Sequence, residues 1–330
     1  MTKVQTVSVG ADEGDLRLDR WFKRRFPELG HGRLEKLLRT GQIRVDGKRA
    51  KAGERLMVGQ SVRVPPLGPA PKPDRAPVRS APPPVDEKIA AELRSLVLYK
   101  DDELIAINKP PGLAVQGGTG TERHLDLWLD ALRFDSPERP RLVHRLDRDT
   151  SGVMIVARSA AAASRLGDAF RDRAARKIYW AVTAGVPRPR QGKIDLALDK
   201  QGGAGGEKVV VDEDAGRRAV TLYTVIDAAG QRLAWVAFMP LTGRTHQIRV
   251  HARALGAPIL GDGKYGGASA FITGQGLSRK LHLHARALTL PRRGAKPLRL
   301  VAPLPEHMAA TWRMFGWSPD LDEDPFPASN

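Results

Sequence analysis

Nine of the twenty positions from Pro65 to Pro84 are proline. Each removes a backbone donor and fixes φ, so the stretch fits neither a helix interior nor a sheet interior. It reads as an extended, semi-rigid spacer of up to about 3.1 Å per residue. The chain therefore divides into a small module over residues 15–64, a linker over 65–87 and a large module over 88–317. The ending SPDLDEDPFPASN is acidic and proline-punctuated, and residues 318–330 are expected to be disordered.

Charge says what the modules meet. With 54 Lys and Arg against 37 Asp and Glu, the chain carries +17, which calls for a polyanionic partner. No cysteine is present, which excludes disulfides, thiolate catalysis and cysteine-bound metal, and fits a reducing compartment. No apolar run nears the roughly 20 residues of a membrane span. The opening MTKVQTVSVGADEGD has neither a secretory nor a transit pattern, so a cytoplasmic, membrane-free monomer is the expectation.

In the small module, Leu16, Leu18, Trp21 and Phe22 stand at near-helical spacing, and Leu34, Leu37 and Leu38 follow at i, i+3, i+4. Ile43-Arg44-Val45 leads into Asp46-Gly47, a strong hairpin signal, and Ser61 to Val64 alternates again. Arg33, Lys36 and Arg39 share the helix side away from the leucines, and the strand beyond adds Arg44 and Lys48. A one-sided amphipathic helix is often just a solvated face. Here residues 1–64 carry net +7 and the basic residues cluster, which favours phosphate contact.

The large module alternates strand and helix. Leu96–Tyr99 and Leu104–Ile107 form an expected hairpin, Gly152–Ala157 is a short buried strand, and 219–226 and 233–238 are further strands. Ser159 caps an alanine-rich helix to about Arg173, and Thr245–Leu255 has Ile248, Ala252 and Leu255 on one face. The fold class is α+β with a mixed, largely antiparallel sheet. Gly202–Gly206 reads as a loop tip rather than a phosphate cradle, since no GK[ST] follows.

The chemistry concentrates in LVHRLDRDTSGVMIVAR, residues 142–158, where a polar loop enters an apolar strand. Asp149 reads as a turn former or exposed ion pair. Asp147, between Arg145 and Arg148, reads as an ionised carboxylate competent as a nucleophile toward carbon. A paired-carboxylate hydrolase is disfavoured, because an enzyme acting on neutral sugars needs no +17 charge. His144, His246, His251, His282 and His284 invite a metal, but no acidic ligand stands at the spacing of known sites, so no metal is expected.

HRLDRDTSG closely resembles the signature of the RluA family of RNA pseudouridine synthases. NKPPGLAVQGGTG (108–120), ARKIYWAVTAG (175–185), LTGRTHQIRVHARALGAPILGDGKYG (241–266) and LHLHARALTL (281–290) are similar to further family segments in the same order. The pattern HGRLEKLLRTGQIRVDGKRAKAG resembles an S4 RNA-binding module, and with Gly117-Gly118 it points to the C-type branch of the family, which modifies the large ribosomal subunit. The departures are small, such as Gln116 where many members have His. The resemblance implies a cofactor-free isomerase acting on large-subunit (23S) ribosomal RNA. It makes Asp147 the catalytic aspartate, Tyr179 the stacking tyrosine, Arg249 the arginine paired with the aspartate, and Leu283 the apolar residue beside the base. Attack at C1′ and attack at C6 both remain open. Lys109, Arg123, Arg145 and Arg244 are expected RNA contacts. The rival is a non-catalytic RNA-binding ribosome-assembly factor.

Overall fold

The computed structural model describes residues 4–67, 85–117, 121–202, 208–272, 276–292, 294–320 and 324–326. The chain divides into two compact units, Met1–Ala81 and Pro82–Asn330. The boundary falls within the proline-rich stretch, most of which lies outside the described residues, as do positions 203–206 of the glycine-rich loop. No helix among the described residues is long and apolar enough to cross a membrane.

The first unit holds β1 (Gln5–Ser8), α1 (Leu18–Arg25), α2 (His31–Arg39), β2 (Arg44–Val45), β3 (Lys48–Arg49) and β4 (Ser61–Val64), with sheet order β1-β4-β2-β3. Val45 pairs with Lys48, so Asp46-Gly47 is a two-residue turn, with φ of 47° and 77°. Positive φ at both positions gives a turn whose twist matches the strands it joins, and Asp-Gly tolerates it. Trp21, Phe22, Leu34, Leu37, Leu38, Ile43 and Val62 fill the core. That burial leaves Arg33, Lys36 and Arg39 on the exposed side of α2.

The second unit runs α3 (Glu87–Ser95), β5 (Val97–Lys100), β6 (Leu104–Lys109), α4 (Leu125–Trp128), β7 (Arg141–Leu142), β8 (Ser151–Ala157), α5 (Ala160–Arg171) and β9 (Arg176–Ala184). It continues with β10 (Gln191–Gln201), β11 (Lys208–Val211), β12 (Arg217–Ala229), β13 (Leu233–Pro240), α6 (Gln247–Ala254), α7 (Gly263–Gly266), β14 (Leu283–Leu290), β15 (Leu298–Val301) and α8 (Glu306–Phe315). Nine strands follow the order β11-β10-β12-β13-β9-β14-β8-β6-β5, with β15 on β14 and β7 on β8. Every pairing is antiparallel except β14 with β8. Ser159 caps α5 by accepting from the Ala162 N–H, as its position predicts.

One face of β9 and β13 packs Trp180 and Trp235 against Trp312 of α8 and Trp317. Phe326 packs against the same cluster, and Arg176 grips both carboxylate oxygens of Asp324. Residues 324–326 of the acidic tail are therefore anchored, against the disorder expected of them. The opposite face, with Ala181, Phe238, Ile248 and Leu283, lies under α6 and leads to the candidate site.

The parallel seam constrains the sheet most tightly. Gly152 of β8 pairs with Ala285 of β14 at φ 113°, and a Cβ there would collide with the Ala285 backbone. Only glycine lets the strands approach so closely. Gly152→Ala is expected to lower unfolding free energy by more than about 3 kcal/mol, read from the urea midpoint at unchanged m-value. A shift below about 1 kcal/mol would show that the seam can open at little cost.

Candidate active site

The loop from β7 to β8 carries Asp147, and three bonds outside it fix its course. The Ile155 N–H donates to His144 Nε2 at 3.0 Å, and His144 stacks on Phe170 with ring centroids 4.4 Å apart. Gly112 N–H and Lys109 Nζ both donate to the Arg148 carbonyl, each at 2.9 Å. Lys109 is fully buried, and its ammonium also donates to the carbonyls of Pro110 and Leu113, each at 2.8 Å. It is not an exposed RNA contact, as the sequence suggested. It clamps the loop after β6 to the loop bearing Asp147, because an ammonium taken from water requires fixed acceptors. Burial pulls its pKa down to about 7, with the charges of Asp149 and Asp147 pulling the other way.

Asp147 lines a cavity of about 520 Å³ together with Tyr179, Leu283, Arg145, Arg244 and Arg249. Tyr179 of β9 pairs with Ala285 and Leu283 pairs with Ala181, so register places both side chains on the cavity face. Burial first, and the Asp147 charge second, push the Tyr179 phenol well above its ordinary range. A neutral ring stands beside the carboxylate. Leu283 is buried at 3% exposure, and Asp147 keeps 28% of its side chain exposed.

Arg249 departs from expectation. Its guanidinium forks onto Asp262, with Nε and Nη2 donating at 2.8 and 2.7 Å, and lies over the Tyr265 ring at 4.9 Å. Burial alone would lower its pKa, but Asp262 raises it on balance. No ion pair joins Arg249 to Asp147 among the described residues, although both line the cavity. The cause is local: Asp262 caps α7, accepting from the Tyr265 N–H, and so faces α6 at bidentate range.

The ion pair that Asp147 does make is with His246, Nε2 to Oδ2 at 3.9 Å. His246 precedes α6 in the left-handed region, at φ 53°, which a non-glycine residue adopts only where its surroundings enforce it. Its Nδ1 lies 2.7 Å from the Tyr265 hydroxyl, which already accepts from the Val209 N–H. The phenol proton can then go to Nδ1, leaving the Nε2 proton to face Asp147. Burial lowers the His246 pKa while Asp147 opposes it. Gln247 fixes the same turn. Its amide donates to Val220 O and Thr221 Oγ1, and its carbonyl accepts from Thr242 Oγ1 and Arg244 N.

Spacing alone missed His246, Asp262, Tyr265 and Lys177 as parts of the site. The KIY run held a usable signal, since alternate strand residues share a face and Lys177 must therefore stand beside Tyr179. Of the expected contacts, Arg145 lines the cavity and reaches Thr245 Oγ1 at 3.3 Å, while Arg244 lines it and donates to Arg218 O at 3.4 Å. Arg123 lies over Trp128 at 5.6 Å, and Asp149 pairs with Arg148 at the surface. In the first unit Lys36 and Arg39 line a groove between α2 and β3, whereas Arg44 turns back to the carbonyls of Gly41 and Gly47.

The other histidines serve the core. His251 bonds Thr221, His282 bonds Lys280 O and Thr311, and His284 bonds Ser151 and Ala302 O. No cluster of three or more metal-binding side chains occurs among the described residues.

A half-buried carboxylate, an adjacent tyrosine and a cation-lined cavity on a mixed sheet define an enzyme built for a polyanion. The family model for RNA pseudouridylate synthase matches residues 103–254. The chain is 35% identical to the ribosomal large subunit pseudouridine synthase C of Rickettsia bellii, over 88% of this chain and 95% of that one. It is 34% identical to the protein of the same name from Vibrio vulnificus, over 93% and 95%. The solved structure of human RNA pseudouridylate synthase domain containing 4 aligns with TM-score 0.59 at 32% identity, covering 69% of this chain and 96% of that one. The chain belongs to the RluA family of RNA pseudouridine synthases, isomerases that act on RNA.

Burial holds His144 and His284 down to about 3, and His251 and His282 down to about 4. Unfolded histidine takes up its proton near 6.5, so below that pH the unfolded state binds more protons. Stability is then complete above about pH 6.5 and falls progressively toward pH 4. Urea unfolding at pH 7 and pH 5 should show the decline, and equal stabilities would mean that these rings are not held neutral.

Proposed function

We propose that this isomerase converts uridines of large-subunit ribosomal RNA to pseudouridine, with Asp147 as its nucleophile. The observation that carries the reading is the placement of Asp147 in the 520 Å³ cation-lined cavity beside Tyr179 and Leu283. The large-subunit assignment rests on the names of the bacterial relatives.

The reaction breaks the N1–C1′ bond, turns the base and joins C5 to C1′. The C5 proton is replaced and no redox change occurs, so the chemistry calls for no cofactor. Inside a stacked helix neither C1′ nor C6 is open, and the uridine must first be flipped out at a cost of a few kcal/mol. Tyr179 returns part of that by stacking, worth about 1–3 kcal/mol. Its raised pKa makes it a stacking surface and hydroxyl donor in the resting enzyme, rather than a ready base. Asp147 attacks C1′ with N1 leaving, or adds to C6, and in either case its bond to carbon is broken again once C5 has joined C1′. Leu283 packs beside the base, Arg249 supplies positive charge and His246 turns its Nε2 proton toward the carboxylate. The apolar wall around Leu283 and Tyr179 limits water, which would otherwise release a cleaved base.

The small basic unit grips RNA outside the cavity through Arg33, Lys36 and Arg39. This S4-type role is supported by their shared exposure on α2 and by the groove that Lys36 and Arg39 line.

Asp147→Asn is expected to cut pseudouridine formation by about 10³-fold or more while RNA affinity stays within a few-fold. Residual turnover near the parent rate would remove the nucleophile role from Asp147, whereas RNA binding without any turnover by the parent protein would favour an assembly factor. Replacing Arg33, Lys36 and Arg39 together by Gln should weaken RNA binding and reduce the slope of log affinity against log salt by about two. An unchanged slope would deprive the small unit of its phosphate contacts.

A further inference from the structure

Six cations line the 520 Å³ cavity against one carboxylate, Asp147. Four are tethered within the protein. Arg249 forks onto Asp262, Arg171 pairs with Asp168, Arg145 reaches Thr245 Oγ1 and Arg244 reaches Arg218 O. Lys177 and Arg173 have no hydrogen-bond or ion-pair partner among the described residues.

Lys177 is the more telling of the two. It is half-buried on β9, two residues before Tyr179, so both side chains rise from the same face about 7 Å apart along the strand. A partly desolvated ammonium without an anion is costly, and its nearest charged influence is another cation, Arg173. Burial and that neighbour both lower the Lys177 pKa. Arg173 follows α5 in the left-handed region, at φ 61°, and also lines the cavity. The protein has placed two like charges together and left both open.

A uracil ring is neutral and cannot compensate them. A phosphodiester can, and any nucleotide stacked on Tyr179 brings one on each side of its sugar. We propose that Lys177, seconded by Arg173, forms a phosphate subsite that holds the phosphodiester adjoining the flipped uridine. The assignment rests on the pseudouridine synthase reading for the identity of the nucleotide, but the subsite itself requires only RNA. By gripping the backbone next to the extruded base, it offsets part of the flipping cost without touching the reacting carbons. Lys177 is therefore a binding and positioning residue.

The test uses the full chain and a uridine-containing fragment of large-subunit ribosomal RNA. Lys177→Met keeps the apolar stem and removes the charge. It should weaken binding about 5- to 20-fold and reduce the log–log salt slope by nearly one. KM should rise correspondingly, with kcat changed at most a few-fold. Lys177→Arg should restore the slope. Arg173→Asn, an exposed change that the left-handed backbone accepts, should produce a smaller loss of the same kind and reads the subsite if Lys177→Met does not fold. Unchanged affinity and slope in both variants would overturn the proposal. So would a collapse of kcat at saturating RNA with affinity unmoved, which would give the lysine to the base. If the parent protein makes no pseudouridine yet Lys177→Met still lowers the slope, the isomerase reading fails and the phosphate subsite stands.

Discussion

One row of residues across the sheet sets the geometry on which the site depends. Lys109 pairs with Gly152, Gly152 with Ala285, Ala285 with Tyr179 and Tyr179 with Phe238, across five strands. Lys109 clamps the loop of Asp147 through the Arg148 carbonyl, and Gly152 is the second residue of the strand into which that loop runs. The distance from carboxylate to tyrosine is therefore a property of strand pairing. A slip of β9 by one residue would turn Tyr179 to the opposite face, where the tryptophans pack. The close approach at Gly152 guards the register between β8 and β14, because no neighbouring residue could take its place at the seam.

Electrostatics builds on that frame by unequal allocation of partners. Asp262 neutralises Arg249, and Tyr265 fixes His246, so one short turn from Asp262 to Tyr265 orients both the guanidinium and the imidazole on the Asp147 side of the cavity. Such indirect support lets a buried arginine keep its charge without drawing Asp147 into a locked pair. The remaining cations face a space that only a polyanion fills. The +17 charge of the chain is thus spent partly on structure and partly on an open, oriented surface.

The sequence made legible what depends on short-range pattern. Short apolar or alternating runs located β5, β6, β8, β12 and β13, the Asp-Gly pair located the β2–β3 turn, and the leucine spacing of α2 predicted which side its arginines would take. The motif resemblance singled out Asp147, Tyr179, Arg249 and Leu283, and the fold brings all four to one cavity. What escaped was partner choice across the fold. Lys109 looks like any surface lysine until the loops of 110–113 and 148 close around it and present carbonyls, and no periodicity encodes that closure. Arg249 takes its bidentate partner from Asp262, thirteen residues on, and nothing local in the sequence marks that pairing. His246 stands out only as one of five histidines that invite a metal, since nothing local announces its left-handed backbone.

The pairing of Arg249 with Asp262 makes chemical sense. A bidentate guanidinium occupies the in-plane lone pairs of both carboxylate oxygens, and a carboxylate held that way must break two charge-assisted bonds before either oxygen can reach carbon. An imidazole N–H offset at 3.9 Å, as that of His246 is, faces the charge but commits neither oxygen to a short hydrogen bond. Asp262 bears the bidentate load instead, at 1% exposure, where it need never react. The fold thus places the bidentate anchoring on residue 262 and leaves residue 147 free of it, which suits the nucleophile role proposed for Asp147.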